Sequence, residues 1–305
     1  MSAQPLSKSR PFPWPWLDRA GRLSPLKTIV FIGLFLPAGW IALQGALSML
    51  GPKPVTEALH QFGDWTVRFL ALTLAVTPFR FIGNWPKLFL VRRMLGLAAL
   101  AYVLVHLTLY VVQEAYDIPK VIWEIILRFY LTIGFIALAG LIALGLTSTD
   151  KMISRMGAAW HRLHQLIYPI VFLALAHYFI QSKINVDQAV LMSGLFLLLF
   201  IYRLMRRFGV AYGVLSLAAA AIVGGVGTML IESAWYGLAT GVPAFAVLQA
   251  NLDFSYVIRP GWWVMAAGFG VALVKALRPS PSRSRAPTER KAPRDSVANA
   301  ASQAS

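Results

Sequence analysis

Residues 94–112 read MLGLAALAYVLVHLTLYVV, a stretch with no charged side chain and with a single histidine, His106. A helix needs about 20 mostly apolar residues to cross the hydrocarbon core of a bilayer. An ionisable side chain is costly at that depth and typically faces the interior of a helix bundle. The stretch therefore predicts a transmembrane helix whose histidine faces the interior of the bundle.

Seven further stretches have the same apolar character, although the fifth and sixth of the eight need polar flanks to complete a span. The eight predicted spans are residues 29–50, 65–82, 94–112, 129–147, 166–180, 189–204, 210–231 and 262–277. The first is too long for a signal-peptide core, and we expect it to remain as an anchor. The predicted fold is all-α: a six-helix transmembrane bundle plus two additional C-terminal transmembrane helices.

The composition supports a membrane protein and limits its chemistry. Hydrophobic residues make up 58% of the chain and charged residues 13%, and there is no cysteine. Soluble domains are roughly 45–50% apolar and about 25% charged. The missing cysteines exclude disulfide scaffolds, thiolate zinc sites, iron–sulfur clusters and covalently attached haem. Any redox chemistry must therefore use a cofactor that is held without a thiol.

The formal net charge of +16 is best explained by membrane orientation. If the spans alternate, 22 of the 28 Lys and Arg residues but only 4 of the 12 acidic residues fall on one side. The positive-inside rule makes that side the cytoplasm, so we expect both termini inside. The basic residues flank apolar runs and form no patch on a polar surface, which argues against a nucleic-acid partner.

Composition also divides the chain. We predict a cytoplasmic N-terminal segment (1–28), a transmembrane core (29–207), two extra transmembrane helices (208–278) and a disordered cytoplasmic tail (279–305) rich in Ser, Pro, Ala and Arg. The sequence shows no convincing internal repeat. It also contains no nucleotide-binding motif, so electrons would have to come from the membrane or from another protein.

Two histidines, His106 and His177, lie deep in predicted spans. Each comes 12 positions after the cytoplasmic start of its helix, which is about 18 Å at 1.5 Å per residue. Both therefore reach the same depth in the outer half of the membrane. Two neutral imidazoles at equal depth on facing helices can supply both axial ligands of a b-type haem. The alternatives are interhelical hydrogen bonds or a proton relay, and this pattern alone leaves them open.

A third histidine, His164, comes 13 residues before His177 on the same predicted helix and on nearly the same face. This spacing is about 20 Å along the helix axis. The corresponding inner position on the third helix holds Arg92 and Arg93, so this pair of helices cannot build a second bis-histidine site. An arginine pair suits a phosphate or a propionate instead.

Several motifs follow one another in a recognisable order. They are GDWTVRFLALTLAVTP (63–78), RRMLGL (92–97), VHLTLY (105–110), RFYLTIG (128–134), LTST (146–149), WHRLHQLIY (160–168) and AHY (176–178). Together they resemble MsrQ (YedZ), the family of haem-binding membrane subunits of the protein-methionine-sulfoxide reductase system, which has a ferric-reductase-like six-helix core. The resemblance covers roughly residues 54–207. The two C-terminal spans depart from the shorter members of that family, and the sequence assigns them no function.

The resemblance implies an electron-transfer subunit of an oxidoreductase system in the bacterial inner membrane. It would take electrons from the quinone pool and deliver them to a periplasmic molybdopterin methionine-sulfoxide reductase of MsrP type. That partner would reduce methionine sulfoxide in oxidised periplasmic proteins. Haem b and FMN are the cofactors that the resemblance implies.

The resemblance also implies roles for particular residues. On the matching positions, His106 and His177 would ligate the haem iron, and His164 is a candidate metal ligand near the inner centre. Arg92 and Arg93 would face a flavin phosphate or a haem propionate.

Two further arginines, Arg68 and Arg128, lie near the predicted outer face. They either bind the propionates of the outer haem or are ordinary interface anchors.

Two alternative functions remain. One is a ferric reductase or a cytochrome-b561-like quinol oxidoreductase with another acceptor, against which the motifs argue. The other is a proton-coupled transporter whose histidines relay protons. A transporter predicts helices broken by Gly or Pro at mid-membrane in related halves, and the sequence shows no such pair.

Overall fold

The computed structural model describes residues 14–18, 20–183, 185–255 and 257–278, and the predicted tail (279–305) lies outside them. The described chain is helical. Its helices are α1 (Pro25–Ala46), α2 (Pro54–Ile82), a 3₁₀ helix (Pro86–Val91), α3 (Arg92–Gln113), α4 (Ile118–Leu127), α5 (Phe129–Leu146), α6 (Asp150–Met156), α7 (Ala158–His164), α8 (Ile167–Ser182), α9 (Asp187–Arg207), α10 (Val214–Thr240), α11 (Ala244–Ala250) and α12 (Pro260–Leu277).

Eight spans in the described chain are long and apolar enough to cross a membrane, which confirms the predicted fold class. Large apolar side chains cover the outside of the bundle: Ile29 and Phe172 are each 71% exposed, and Leu238 is 90% exposed. Isolated exposed apolar residues are ordinary in soluble proteins, but a continuous apolar surface requires lipid or a partner. The chain is therefore a multi-span membrane protein.

Helices α2 and α9 form the centre of the bundle. In each, 56% of the most apolar window is buried, compared with 17–39% in the other six spans. One buried cluster joins side chains of α2, α3, α5, α8 and α9 to Leu217 of α10 and Val264 of α12. The two C-terminal helices thus pack onto the core and share its apolar interior.

Helix α2 is longer than its predicted span of 65–82. It begins with Pro54, a residue whose fixed φ suits the first turn of a helix. Its 29 residues reach about 43 Å, which exceeds the hydrocarbon core of about 30 Å. The added outer turns include polar residues such as Glu57 and Gln61, which the hydropathy pattern could not assign to a span. These turns bring the backbone at Leu59 alongside α3.

The fifth span is interrupted, although the sequence predicts one continuous helix through His164 and His177. Helix α7 ends at His164, and α8 begins at Ile167. The physical reason is Pro169, which has no N–H to donate to the carbonyl of Gln165 and whose ring crowds that carbonyl. The Gln165 carbonyl instead accepts from the N–H of Tyr168 at 3.2 Å.

Candidate cofactor site

The structure brings His106 of α3 and His177 of α8 together inside the bundle. Their ring centroids lie 6.5 Å apart, and their planes are nearly perpendicular, at 89°. Both side chains are half-buried among apolar residues. The two histidines that the sequence places at equal depth are thus also neighbours in space.

Each imidazole is oriented by a backbone carbonyl on an adjacent helix. The Nδ1–H of His106 donates to the carbonyl of Leu59 on α2 at 2.8 Å, and the Nδ1–H of His177 donates to the carbonyl of Tyr130 on α5, also at 2.8 Å. A carbonyl oxygen only accepts, so the proton of each neutral ring must be on Nδ1. Nε2 of each ring then keeps its lone pair, which is the form that binds a metal.

Two glycines allow the rings to lie directly against these helices. Gly63 comes one turn after Leu59, and a Cβ atom there would lie 3.1 Å from Nδ1 of His106. Gly134 comes one turn after Tyr130, and a Cβ atom there would lie 2.8 Å from Nδ1 of His177. A larger residue at either position would displace the ring from its carbonyl partner.

These contacts are two copies of one arrangement. Adding 71 to residues 59, 63 and 106 gives residues 130, 134 and 177, which make the equivalent contacts. The pairs α2–α3 and α5–α8 therefore contain a structural repeat that sequence reasoning missed, because only the glycine and the histidine are shared among the three contacting positions. Adding 71 to residue 93 gives residue 164, so Arg93 at the start of α3 corresponds to His164 at the end of α7.

The separation of the two histidine rings would suit a haem iron held between them. With metal–imidazole bonds of about 2.0–2.1 Å, the centres of two rings on one ion lie about 6.3 Å apart. The observed separation of 6.5 Å agrees with this value. Both rings also have the tautomer that ligation requires, as their carbonyl partners show.

The inner end of the bundle holds a different cluster around His164. Its ring stacks on Trp160, with 3.8 Å between the centroids. Its Nδ1 lies 3.2 Å from the carbonyl of Trp160, and its Nε2 lies 3.4 Å from Oγ of Ser148. The Trp160 indole in turn donates to the carbonyl of Thr147 at 2.9 Å. Both nitrogens of His164 thus have a polar neighbour, whereas among the described residues His106 and His177 each form a hydrogen bond only through Nδ1.

The two arginines predicted at this end occupy different environments. Arg93 is 45% exposed and forms an ion pair of 2.5 Å with Asp150, which is itself 87% exposed. Arg92 is half-buried, and no carboxylate in the described part of the chain pairs with it. The two neighbouring arginines are therefore not equivalent, and Arg92 is the better placed of the two to bind an anionic group.

A third arginine, Arg203 of α9, belongs to the same cluster and was not singled out from the sequence. It donates to the Tyr168 hydroxyl at 2.9 Å and to the carbonyl of Leu74 at 2.5 Å. It lies close enough to Arg92 for the two positive charges to repel each other. Its position at the end of a predicted span made it look like an ordinary positive-inside residue.

The two outer arginines both have carboxylate partners. Arg68 lies 3.8 Å from Asp64, and Arg128 lies 2.9 Å from Glu124. Arg128 also donates to the hydroxyl of Tyr130 at 3.3 Å. This hydrogen bond and the nearby Glu124 carboxylate raise the pKa of Arg128, so its guanidinium stays charged. Arg128 is thus linked to the residue whose carbonyl orients His177.

The helical bundle and its inward histidines define the class of ferric-reductase-like transmembrane proteins. A family model described as ferric reductase like transmembrane component matches residues 62–175. Closer relatives identify the particular family: the chain belongs to the MsrQ family, named as the haem-binding subunits of protein-methionine-sulfoxide reductase. No solved structure matches the chain.

Three of these relatives show how far the similarity extends. The MsrQ of Herminiimonas arsenicoxydans is 38% identical over 159 residues, which are 52% of this chain and 73% of the relative. That of Caulobacter vibrioides is 37% identical over 57% of this chain and 84% of the relative. That of Rhodospirillum rubrum is 34% identical over 62% of this chain and 89% of the relative. Most of each relative is thus matched, while more than a third of this chain is not.

Proposed function

We propose that this protein is a haem b-containing electron-transfer subunit of the bacterial inner membrane. It takes electrons from the quinone pool and passes them to a periplasmic methionine-sulfoxide reductase of MsrP type. Its family supports this function, because the relatives are named as haem-binding subunits of such reductases. The observation that carries the proposal is the histidine pair, with rings 6.5 Å apart and each Nδ1 proton committed to a carbonyl.

His106 and His177 would bind the haem iron through Nε2. Hydrogen bonds from Nδ1 to the carbonyls of Leu59 and Tyr130 hold the two rings in place and make the ligating nitrogens more basic. The surrounding apolar helices keep water away from the macrocycle. When bound, the haem supplies a one-electron carrier between a donor in the membrane and an acceptor outside it.

The electron and proton balance of the proposed system is simple. Reduction of one methionine sulfoxide consumes two electrons and two protons and yields methionine and water. Oxidation of one quinol to a quinone releases the same two electrons and two protons. The haem that His106 and His177 would hold would carry these electrons one at a time, and the S–O bond would be broken in the partner protein.

The inner end suits the phosphate of FMN, the second cofactor in the proposal. The positive charges of Arg92 and Arg203 act on each other, and planar guanidinium groups bind phosphate well. The stacked rings of His164 and Trp160 provide a flat surface beside them. In this assignment His164 packs against the inner cofactor and does not ligate iron. Arg93, paired with Asp150 at the surface, plays a smaller part.

At the outer end, Arg68 is the better candidate for a haem propionate. Its contact with Asp64 is long, at 3.8 Å, so a propionate can compete for the guanidinium. Arg128 holds a closer pair with Glu124 and contacts Tyr130, which suits a structural anchor at the start of α5.

The orientation and the division of the chain form part of the same proposal. Both termini are placed in the cytoplasm by the positive-inside rule. Residues 29–207 form the haem-binding core, and residues 208–278 add two membrane-spanning helices, α10 and α12, that pack on α9. The outer half of the bundle then faces the periplasmic partner.

Electron transfer to the partner tests this function. The full-length protein is reduced with a quinol in lipid nanodiscs and then mixed with a periplasmic methionine-sulfoxide reductase and methionine sulfoxide. We expect rapid haem reoxidation that depends on the sulfoxide. His177→Ala should abolish it, and His161→Ala, at an exposed position, should retain it. A haem that is reduced by quinol but is not reoxidised by this partner would favour the ferric-reductase alternative.

A further inference from the structure

An apolar groove, here called the lateral groove, runs between α8, α9 and α10. Its cavity volume is about 530 Å³, within the usual range of small-molecule sites, about 300–1,000 Å³. Arg203 lies towards one end of the groove, and Trp235 lies towards the other. The lining includes Phe172, Phe179, Ser193, Phe200, Arg203 and Trp235.

Two polar atoms of the groove have no hydrogen-bond partner among the described residues. Ser193 is only 8% exposed, and its Oγ is buried without a partner. The indole Nε1 of Trp235 is buried in the same way. Buried donors without acceptors are rare in folded proteins and destabilise them. Both residues line the groove, so two unused hydrogen-bond donors belong to its wall.

The two donors lie at the depth of the histidine pair. Ser193 comes six residues after the start of α9, or about 9 Å below that end. Trp235 comes five residues before the end of α10, and His177 comes five residues before the end of α8, about 7.5 Å in each case. A ligand held by both donors would be level with the proposed haem.

Helix α8 separates the groove from the histidine pair. Its groove-lining residues follow the spacing i, i+3, i+4, i+7 and i+8, which marks a single helix face: Phe172, Leu175, Ala176, Phe179 and Ile180. His177 lies on another face of α8, against Gly134 of α5. About one helix diameter, or 10 Å, therefore separates the groove from the His177 ring.

We infer that the lateral groove binds the head group of a lipid-soluble quinone, with Ser193 and Trp235 donating hydrogen bonds to its carbonyl oxygens. Two donors match the two acceptors of a flat ring, and the aromatic walls match its faces. From Ser193 to Arg203 the groove follows about 15 Å of α9, which leaves room for the start of an isoprenoid tail. The inference rests on the proposed function, because it gives the electron donor of that function a binding site.

A phospholipid fits the groove less well than a quinone. Its charged head group belongs at the membrane surface, several ångströms above Ser193 and Trp235. Its acyl chains carry no acceptor that could satisfy these donors. The quinone assignment also gives the C-terminal helices a role, because Ile231 and Trp235 of α10 form one wall of the groove and lie outside the family-model match of residues 62–175.

Photolabelling of the full-length protein tests the site. The probe is an azido-decylubiquinone in phosphatidylcholine nanodiscs, with decylubiquinone as competitor and mass spectrometry to locate the label. We expect labelled peptides from α8, α9 or α10. Ser193→Ala and Trp235→Phe each remove one donor. Each should raise about fivefold the concentration of decylubiquinone that halves the labelling. Trp123→Phe, at an exposed position on α4, should leave it unchanged.

Three results would overturn the inference: labelling elsewhere, unchanged competition in both groove variants, or a co-purified phospholipid in the groove that decylubiquinone does not displace. Dithionite reduces a haem without any quinone, so its spectrum reports separately on the histidine pair. A normal dithionite spectrum without groove labelling refutes the quinone site alone. Groove labelling without a haem spectrum refutes the haem proposal and leaves the quinone site standing.

Discussion

The outer and inner ends of the bundle hold their candidate site residues in different ways. At the outer end, His106 and His177 occupy matched positions, and each ring donates to a carbonyl on the neighbouring helix and rests on a glycine. At the inner end, the matched positions hold Arg93 in an exposed ion pair and His164 stacked on Trp160. The difference shows that the arrangement of ring, carbonyl and glycine belongs to the outer end. The inner end holds its side chains by an exposed ion pair and by stacked rings, which suit a different ligand.

The largest expected effect comes from closing the space that the outer rings occupy. In Gly134→Ala the new Cβ would lie 2.8 Å from Nδ1 of His177. Overpacking of this kind destabilises the native arrangement by up to about 3 kcal/mol, and here it would displace the ring that would bind the haem. We expect haem affinity to fall about 100-fold. Gly63→Ala, where the contact is 3.1 Å, should cost about 1 kcal/mol, or about fivefold.

Haem titration of the purified apoproteins measures both effects. Gly39→Ala is the matched control, because nothing lies within 4 Å of a Cβ atom there. Unchanged haem affinity in Gly134→Ala would show that the ring is not held against α5.

At the inner end, Arg92→Gln removes the charge that has no carboxylate partner among the described residues. A charge-assisted hydrogen bond contributes about 1.5–3 kcal/mol, so FMN should bind at least about tenfold more weakly. Flavin fluorescence during titration with FMN measures the change. Arg93→Gln is the control and should change FMN binding less than about twofold, because Arg93 is exposed and paired with Asp150. Equal losses in the two variants would contradict the assignment of the phosphate to Arg92.

A smaller effect is expected when the surface pair itself is broken. Asp150→Asn removes the partner of Arg93, and both side chains are substantially exposed. Exposed ion pairs contribute about 0–1 kcal/mol, because water and salt screen them. The midpoint temperature of thermal unfolding in detergent should therefore fall only slightly, and the haem content per chain should not change. A loss of haem in this variant would mean that the inner ion pair supports the outer site.

The smallest expected effect comes from placing a histidine at both inner positions, 93 and 164. Arg93→His places histidines at both inner positions of the repeat, yet we expect the haem content to stay at one per chain. Position 93 is at the surface, and both nitrogens of His164 have polar neighbours. Haem extraction, with the protein quantified in the same sample, measures the number of haems per chain. A second haem in this variant would show that the inner frame is already built for ligation.

The parts of this molecule that depend on hydropathy could be predicted from the sequence. Eight apolar runs predict eight spans, and equal spacing from the helix starts predicts that His106 and His177 lie at the same depth. The carbonyl partners could not be predicted, because every residue has a carbonyl and no side chain marks the ones at Leu59 and Tyr130. The repeat was missed for a related reason: backbone contacts define it, and few side chains are shared.

Two further features needed the three-dimensional structure. The break between α7 and α8 follows from Pro169, but a proline near a helix start is also compatible with an unbroken span. Arg203 joins the inner cluster only because α9 packs beside α2 and α8, which brings its guanidinium to Leu74 and Tyr168. Contacts between distant segments leave no local pattern in a single sequence.

A reduced-minus-oxidised absorption spectrum of the purified protein shows whether His106 and His177 hold one haem between them. We expect a b-type signal in the unaltered protein that disappears in both His106→Ala and His177→Ala. The signal should persist in His60→Ala and His161→Ala, whose side chains are exposed. A colourless unaltered protein from cells supplied with haem, or an unchanged signal in either of the first two variants, would contradict this expectation.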